Sequence, residues 1–236
     1  MKKLLLLLIF SMTMLSWAMG QNRTDTRGLR MGKWVGTYSN GAVRYRGQFR
    51  NGKPYGTFRY FYPAGMLKAK MIYSDDGRAA YLKSFQLNGK VMAEGKFISR
   101  KKDSTWLYYS DVDGKLVLEE NYRTGVKQGP TIVFYPSTGR PSELTDYKNG
   151  RKNGRWIKYF PDGKISTSGV YVNDTLQGPF SVYDVNGKLL MQGQYEKSLQ
   201  EGLWITYDSL GSILKKQYFH GGLPVKKKKI KTTSHE

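Results

Sequence analysis

Gly154-Arg155-Trp156-Ile157-Lys158-Tyr159-Phe160-Pro161-Asp162-Gly163-Lys164-Ile165 decides the fold, because its marks recur along the chain. Counting outward from Trp156, equivalent anchors fall at Trp34, Phe58, Leu82, Trp106, Thr131, Phe180 and Trp204, in steps of 24 or 25 residues. A Gly stands two places before six of the eight, with Ala80 and Ser104 at the other two. A second Gly follows every anchor: Gly41, Gly65, Gly89, Gly114, Gly139, Gly163, Gly187 and Gly211. An aromatic closes every unit 15 or 16 places on: Phe49, Tyr73, Phe97, Tyr122, Tyr147, Tyr171, Tyr195 and Phe219. A fixed period of this length marks a repeat architecture.

The second Gly follows Asn or Asp in five units, at Asn40, Asn88, Asp113, Asp162 and Asn186. Between patterned runs, Asn-Gly is a hairpin signal, and it predicts a two-residue type I′ turn there. Pro141 marks an irregular start to the second strand of the fifth unit. A closing turn is read at Asn51-Gly52, Asp76-Gly77, Thr124-Gly125, Asn149-Gly150, Asn173-Asp174 and Gly221-Gly222. Each unit is then strand, turn, strand, turn. One hairpin is marginal in water, so the units must stack and cover one another. The anchors and closing aromatics are therefore structural. Tyr60, Tyr62, Tyr108 and Tyr159 are expected to leave at least one face open. The fold class is all-β: an elongated single-layer array of about eight antiparallel hairpins.

The pattern Gly-x-Trp-x-x-Tyr-Tyr/Phe-x-Asn/Asp-Gly-Lys, followed by Gly-x-Tyr/Phe, resembles the MORN-repeat variant of bacterial proteins. Its plainest copies run from Gly154 to Tyr171 and from Gly178 to Tyr195, and the resemblance covers 32–222. It implies a repeat scaffold. Some members are described as YwqK-type antitoxins, and other MORN repeats as membrane- or protein-binding modules. The third unit departs most, with Leu82, Ala80 and Ser99-Arg100, and Thr131 replaces the fifth anchor. Looser packing is expected at both points.

The 236 residues hold 39 Lys and Arg against 18 Asp and Glu, with no Cys and two His. That excludes a disulfide scaffold, a Cys metal site and a cysteine nucleophile. Met1-Lys2-Lys3, an apolar run from Leu4, and Ala18-Met19-Gly20 read as a signal peptide over 1–20, cleaved before Gln21. At 16 residues, Leu4 to Met19 is short for a spanning helix, which needs about 20. The chain is thus expected to be exported, periplasmic or extracellular, with a linker over 21–31, repeats over 32–222 and a polybasic, disordered tail over 223–236.

Catalytic signals are missing from the sequence. His220 and His235 lack ligand spacing, and Asp111-Val112-Asp113-Gly114 lacks the closing Glu of a calcium loop. Asp75-Asp76 and Glu119-Glu120 are adjacent pairs that a strand would send to opposite faces. No catalytic, metal or cofactor residue is assigned. Positive charge is the loud feature. Lys226, Lys227, Lys228, Lys229 and Lys231 in the tail, with Arg151, Lys152 and Arg155 in the body, are the candidate contacts to an anionic partner. The expected function is a non-enzymatic scaffold that binds a protein, or an anionic envelope component (phospholipid, lipopolysaccharide or acidic polymer), through a basic, Tyr-rich sheet face. Export disfavours nucleic acid. The alternative is an antitoxin- or immunity-like protein that neutralises a toxin by direct binding.

Overall fold

A computed structural model describes residues 21–226. The signal-peptide segment 1–20 and the tail residues Lys227, Lys228, Lys229 and Lys231 lie outside the described residues. The chain divides into two compact units after Gly114.

In the first unit, β1 (Arg23–Thr24), β2 (Arg30–Thr37), β3 (Val43–Arg50), β4 (Lys53–Phe61), β5 (Leu67–Tyr73), β6 (Ala79–Phe85), β7 (Val91–Ile98) and β8 (Lys101–Tyr109) follow one another. Each pairs antiparallel with the next. The second unit holds β9 (Leu116–Arg123), β10 (Val126–Phe134), β11 (Pro141–Lys148), β12 (Arg151–Tyr159), β13 (Ile165–Val172), β14 (Thr175–Leu176), β15 (Gly178–Tyr183), β16 (Leu189–Glu196), β17 (Leu199–Tyr207), β18 (Ile213–His220) and β19 (Leu223–Val225). They also pair in series, β13 meeting both β14 and β15. The fold is all-β, and among the described residues no helix occurs. Two outer boundaries differ from the sequence reading. Within 21–31, Arg23 and Thr24 pair with Met31 and Arg30. Beyond 222, Leu223–Val225 adds a strand to β18.

The turns exchange the roles expected of them. At Asn40-Gly41 only the Gly has positive φ, at 82°. Gly41 N–H bonds Tyr38 O at 3.0 Å and Tyr38 N–H bonds Ala42 O at 2.8 Å. This is a three-residue loop, a type I turn closed by a left-handed Gly. Asn40 sits before that Gly because its Oδ1 accepts the Ala42 N–H at 3.1 Å, a local bond that Asn and Asp make readily. The two-residue type I′ turn lies at the other end of the hairpin. At Asn51-Gly52, Ser99-Arg100, Asn149-Gly150 and Lys197-Ser198, both residues have positive φ. The two 25-residue steps place their extra residue in the first turn. Gly114 N–H bonds Ser110 O and Gly139 N–H bonds Tyr135 O, each four residues back instead of three.

The residue two places before the anchor sits beside a bulge in five units, at Gly56, Ser104, Gly129, Gly154 and Gly202. Between β3 and β4 the register shifts after Arg46↔Arg59, next to Gly56 with φ +64°. Ser104 takes the same left-handed backbone at φ +60°. Ala80 does not, and β5–β6 runs from Ala69↔Ser84 to Tyr73↔Ala80 without a shift. The two residues that other units use in the bulge lengthen the turn instead, where Ser74 N–H bonds Ala79 O across Asp75–Arg78. The repeat length survives, so the anchors stay in line.

One face of each unit carries the core. Phe58 and Trp106 are 2% exposed and Trp204 4%. The anchors meet closing aromatics edge to face: Phe49–Phe58 at 5.2 Å, Phe97–Trp106 at 4.8 Å and Tyr195–Trp204 at 5.2 Å between ring centroids. Trp34–Phe49, Phe58–Tyr73, Trp156–Tyr171 and Phe180–Tyr195 continue the pattern within units, as does Trp204–Phe219 at 6.3 Å. Such pairs add about 0.5–1.5 kcal/mol beyond the area they bury.

Burial persists at the two departures, with Ala80 and Ser84 buried around Leu82 and Glu120 and Thr145 around the fifth anchor, Thr131. At the first site a cavity of about 280 Å³ is lined by Met71, Tyr73, Ala80 and Phe97 among others, and at the second the Thr131 hydroxyl is buried with no hydrogen-bond partner among the described residues. At the second, charge replaces the ring: Lys127 pairs with Glu120 at 2.6 Å, Tyr122 donates to Glu120 at 2.7 Å, and Lys127 lies 4.8 Å from the Tyr147 ring centre.

Adjacent units are also tied by side chain to backbone. Tyr38, Tyr62 and Tyr135 hydroxyls donate to Phe61, Phe85 and Tyr159 carbonyls at 2.7–2.9 Å. Each of these tyrosines thus spends its polar end on the neighbouring hairpin.

Candidate anion-binding face

Strand alternation sends the residue after each anchor to the face opposite the aromatic core. That position holds Val35, Arg59, Lys83, Leu107, Ile132, Ile157, Ser181 and Ile205. Its partners on the returning strands are Arg46, Lys70 and Glu94 in the first unit and Leu144, Ser168, Gln192 and Lys216 in the second. Register joins these residues into rows. In the first unit the row reads Val35↔Arg46↔Arg59↔Lys70↔Lys83↔Glu94. In the second, the equivalent row contains Ile132↔Leu144↔Ile157. The stack is cationic over four strands of the first unit and apolar over three strands of the second.

Four cations therefore stand directly opposite one another on four consecutive strands. Strands lie about 4.8 Å apart, and like charges facing across them are destabilising. Arg46 and Arg59 are exposed, and Lys70 is half-buried. Lys83 meets the only carboxylate in the row, Glu94, at 3.2 Å. The Tyr109 hydroxyl also donates to Glu94 at 2.5 Å. That bond above all, with Lys83 helping, holds the Glu94 carboxyl below its ordinary range. Burial, then the bond to Glu94, pushes the Tyr109 phenol up to about 12. Glu94 is thus an ionised end-stop. Between Val35 and Lys70 the row has no acid.

A groove of about 400 Å³ opens at the Arg46 end. Lys33, Arg46 and Arg59 line it with Gln21, Gln48 and Thr57, and no carboxylate does. The charge bias extends to the whole unit. Residues 21–114 hold 18 Lys and Arg against seven Asp and Glu, a net of +11, while 115–236 hold 19 against 11, a net of +8.

Of the candidates named from sequence, Arg151, Lys152, Arg155 and Lys226 are among the described residues and lie outside this row. Arg155 is bound to Asp146 at 2.8 Å. Lys152 lies over the Tyr171 ring at 4.9 Å. Arg151 is exposed beside Lys148, Asn149 and Asn153, and Lys226 is exposed after the last strand. A further set of cations serves the turns. Lys115, Lys164 and Lys188, each directly after a turn Gly, donate to Pro136, Val185 and Ser209 carbonyls at 2.8–2.9 Å. Lys90 and Arg140 reach Val112 and Asp162 carbonyls in the same way. His220 is exposed and paired with Glu201 at 2.9 Å, which raises its pKa. Among the described residues, no group of three His, Asp or Glu is placed to hold a metal.

The row escaped a motif-based reading because its members are 11 or 13 residues apart. Comparing the position after each anchor across units singles out Arg59 and Lys83 alone, and only register sets Arg46 and Lys70 beside them.

Comparison with known proteins bears on the repeat alone. A family model described as the MORN repeat variant matches residues 54–75 and 152–173, one stretch in each unit. No curated protein matches in sequence. Among solved structures, S. aureus TarM is similar at 19% identity over 51% of this chain and 19% of its own, with a TM-score of 0.27. The Photorhabdus luminescens Tc holotoxin pore is similar at 12% identity over 85% of this chain and 13% of its own, with a TM-score of 0.24. The chain thus spans less than a fifth of either protein.

Proposed function

We propose that this MORN-variant repeat protein is an exported, non-enzymatic scaffold that binds a partner through the face opposite its aromatic core. The observation that carries the reading is the contrast between faces. One is filled by stacked rings, while the other presents Arg46, Arg59 and Lys70 without a facing acid. A solvated, solubilising surface would intersperse signs, whereas single-sign rows favour an anionic counterpart. The expected counterpart is an anionic envelope component. The half-buried row Ile132, Leu144 and Ile157 on the equivalent face of the second unit favours a protein partner there.

Co-sedimentation of residues 21–236 with isolated envelope and with anionic vesicles, across a salt series and with or without 226–236, tests this. Binding that survives the truncation and weakens with salt supports recognition by the repeat face. Failure of both forms to bind envelope, together with no captured protein, would remove the reading.

A further inference from the structure

We propose that the row Arg46, Arg59 and Lys70 is a binding track for a linear acidic glycan, a polymer of sugar acids lying across the strands. This rests on the scaffold reading above and names the ligand of that face. Four features of the first unit lead to it.

The cations face one another directly, Arg46↔Arg59 and Arg59↔Lys70. In the free protein this arrangement costs stability, and a bound row of anions removes the cost. Their spacing is set by the sheet at about one strand separation. A chain with one carboxylate per sugar ring presents charge at a comparable step, so consecutive rings can each meet a cation. Arg adds a planar fork that grips a carboxylate through two N–H groups.

The groove beside the row suits the rest of a sugar. Gln48 and Thr57 line it together with Lys33, Arg46 and Arg59, offering donors and acceptors to ring hydroxyls. A second row runs parallel on the same face, Thr57↔Ile72↔Tyr81↔Lys96. Within it Ile72 is 46% and Tyr81 45% exposed, giving a flat apolar shoulder for the face of a ring. Single-stranded nucleic acid would want an aromatic under each successive base, and this shoulder carries one. The Lys83–Glu94 pair at 3.2 Å ends the track, because an ionised carboxylate there repels the next anion.

The test uses residues 21–236 and four probes: polygalacturonate oligomers, neutral dextran, a single-stranded oligonucleotide and anionic phospholipid vesicles. Two triple variants are compared, Arg46→Gln/Arg59→Gln/Lys70→Gln in the row and Arg123→Gln/Lys148→Gln/Lys215→Gln outside it. Both lose three charges. The row variant should weaken polygalacturonate binding at least about tenfold, while the other stays within about twofold. Its thermal midpoint should equal or exceed that of the parent, which separates lost recognition from lost folding. Equal weakening in both variants, unchanged binding in the row variant, or tighter binding of the oligonucleotide than of the glycan would each overturn the track. If vesicles or envelope bind and the glycan does not, the track falls while the scaffold reading stands. If no anionic probe binds, the track falls and the scaffold keeps only its protein partner.

Discussion

At the scale of single residues, the core is governed by pairs in which one member makes room for the other. A Cβ on Gly47 would lie 2.3 Å from Phe58, on Gly95 2.4 Å from Trp106, and on Gly193 2.2 Å from Trp204. None of these glycines needs an unusual backbone, so space alone selects them. Met71, facing Leu82, and Glu120, facing Thr131, stand at the equivalent position beside smaller anchors, although Gly95 also faces Leu82 and Thr145 faces Trp156. Gly193→Ala should cost about 1–3 kcal/mol by overpacking. Combined with Trp204→Leu, its loss should fall well short of the two single losses added together, a coupling of at least about 1 kcal/mol. Urea unfolding of the four proteins in the cycle reads this directly. Additive losses would mean that the ring does not fill the space the glycine leaves.

At the scale of the hairpin, length is conserved while shape varies. The bulge beside Gly56 and the longer loop across Asp75–Arg78 are two solutions for joining anchors 24 residues apart. Type I′ turns require positive φ at both central residues, and most closing turns here use Asn or Gly for at least one. Ser99-Arg100 uses neither, and Arg100 sits at φ +64°. A side chain in that region costs roughly 1 kcal/mol. Arg100→Gly should therefore raise stability by about 0.5–1 kcal/mol, whereas Arg100→Ala, which also removes the charge, should not. Chemical denaturation of both variants distinguishes backbone relief from charge relief. An equal gain in the two would assign the strain to charge.

At the scale of the molecule, charge is distributed unevenly, and the unevenness predicts how stability answers to salt. Residues 21–114 carry +11 and residues 115–236 carry +8. The cationic row extends over three strand separations, about 14 Å, which exceeds the screening length of about 10 Å in 0.1 M salt. Repulsion along it should fade as salt is added. The thermal midpoint of 21–236 is expected to rise between low and physiological ionic strength, and the rise should flatten in the row triple variant. A midpoint that falls with salt would show that attractive pairs such as Lys127–Glu120 and Arg155–Asp146 dominate instead.

The repeat and its strands were legible in the residues because period and alternation are properties of the chain itself. Eight second glycines and eight closing aromatics recur at nearly constant spacing. Each must do the same steric task in every unit, so each leaves a mark in order. The turn types were harder to read, since Asn-Gly fits both a two-residue and a three-residue loop, and only the cross-strand bonds choose between them. The cationic row was invisible along the chain for a stronger reason. Arg46 and Arg59, like Lys70 and Lys83, are 13 residues apart, and Arg59 and Lys70 are 11 apart. They become neighbours only when register sets one strand against the next. By contrast, Lys152 and Arg155 stand close in sequence and look like a cluster, yet the sheet gives one to an aromatic ring and the other to a carboxylate. Local order dictates which elements form. Pairing, which acts between distant residues, dictates which charges remain free to bind.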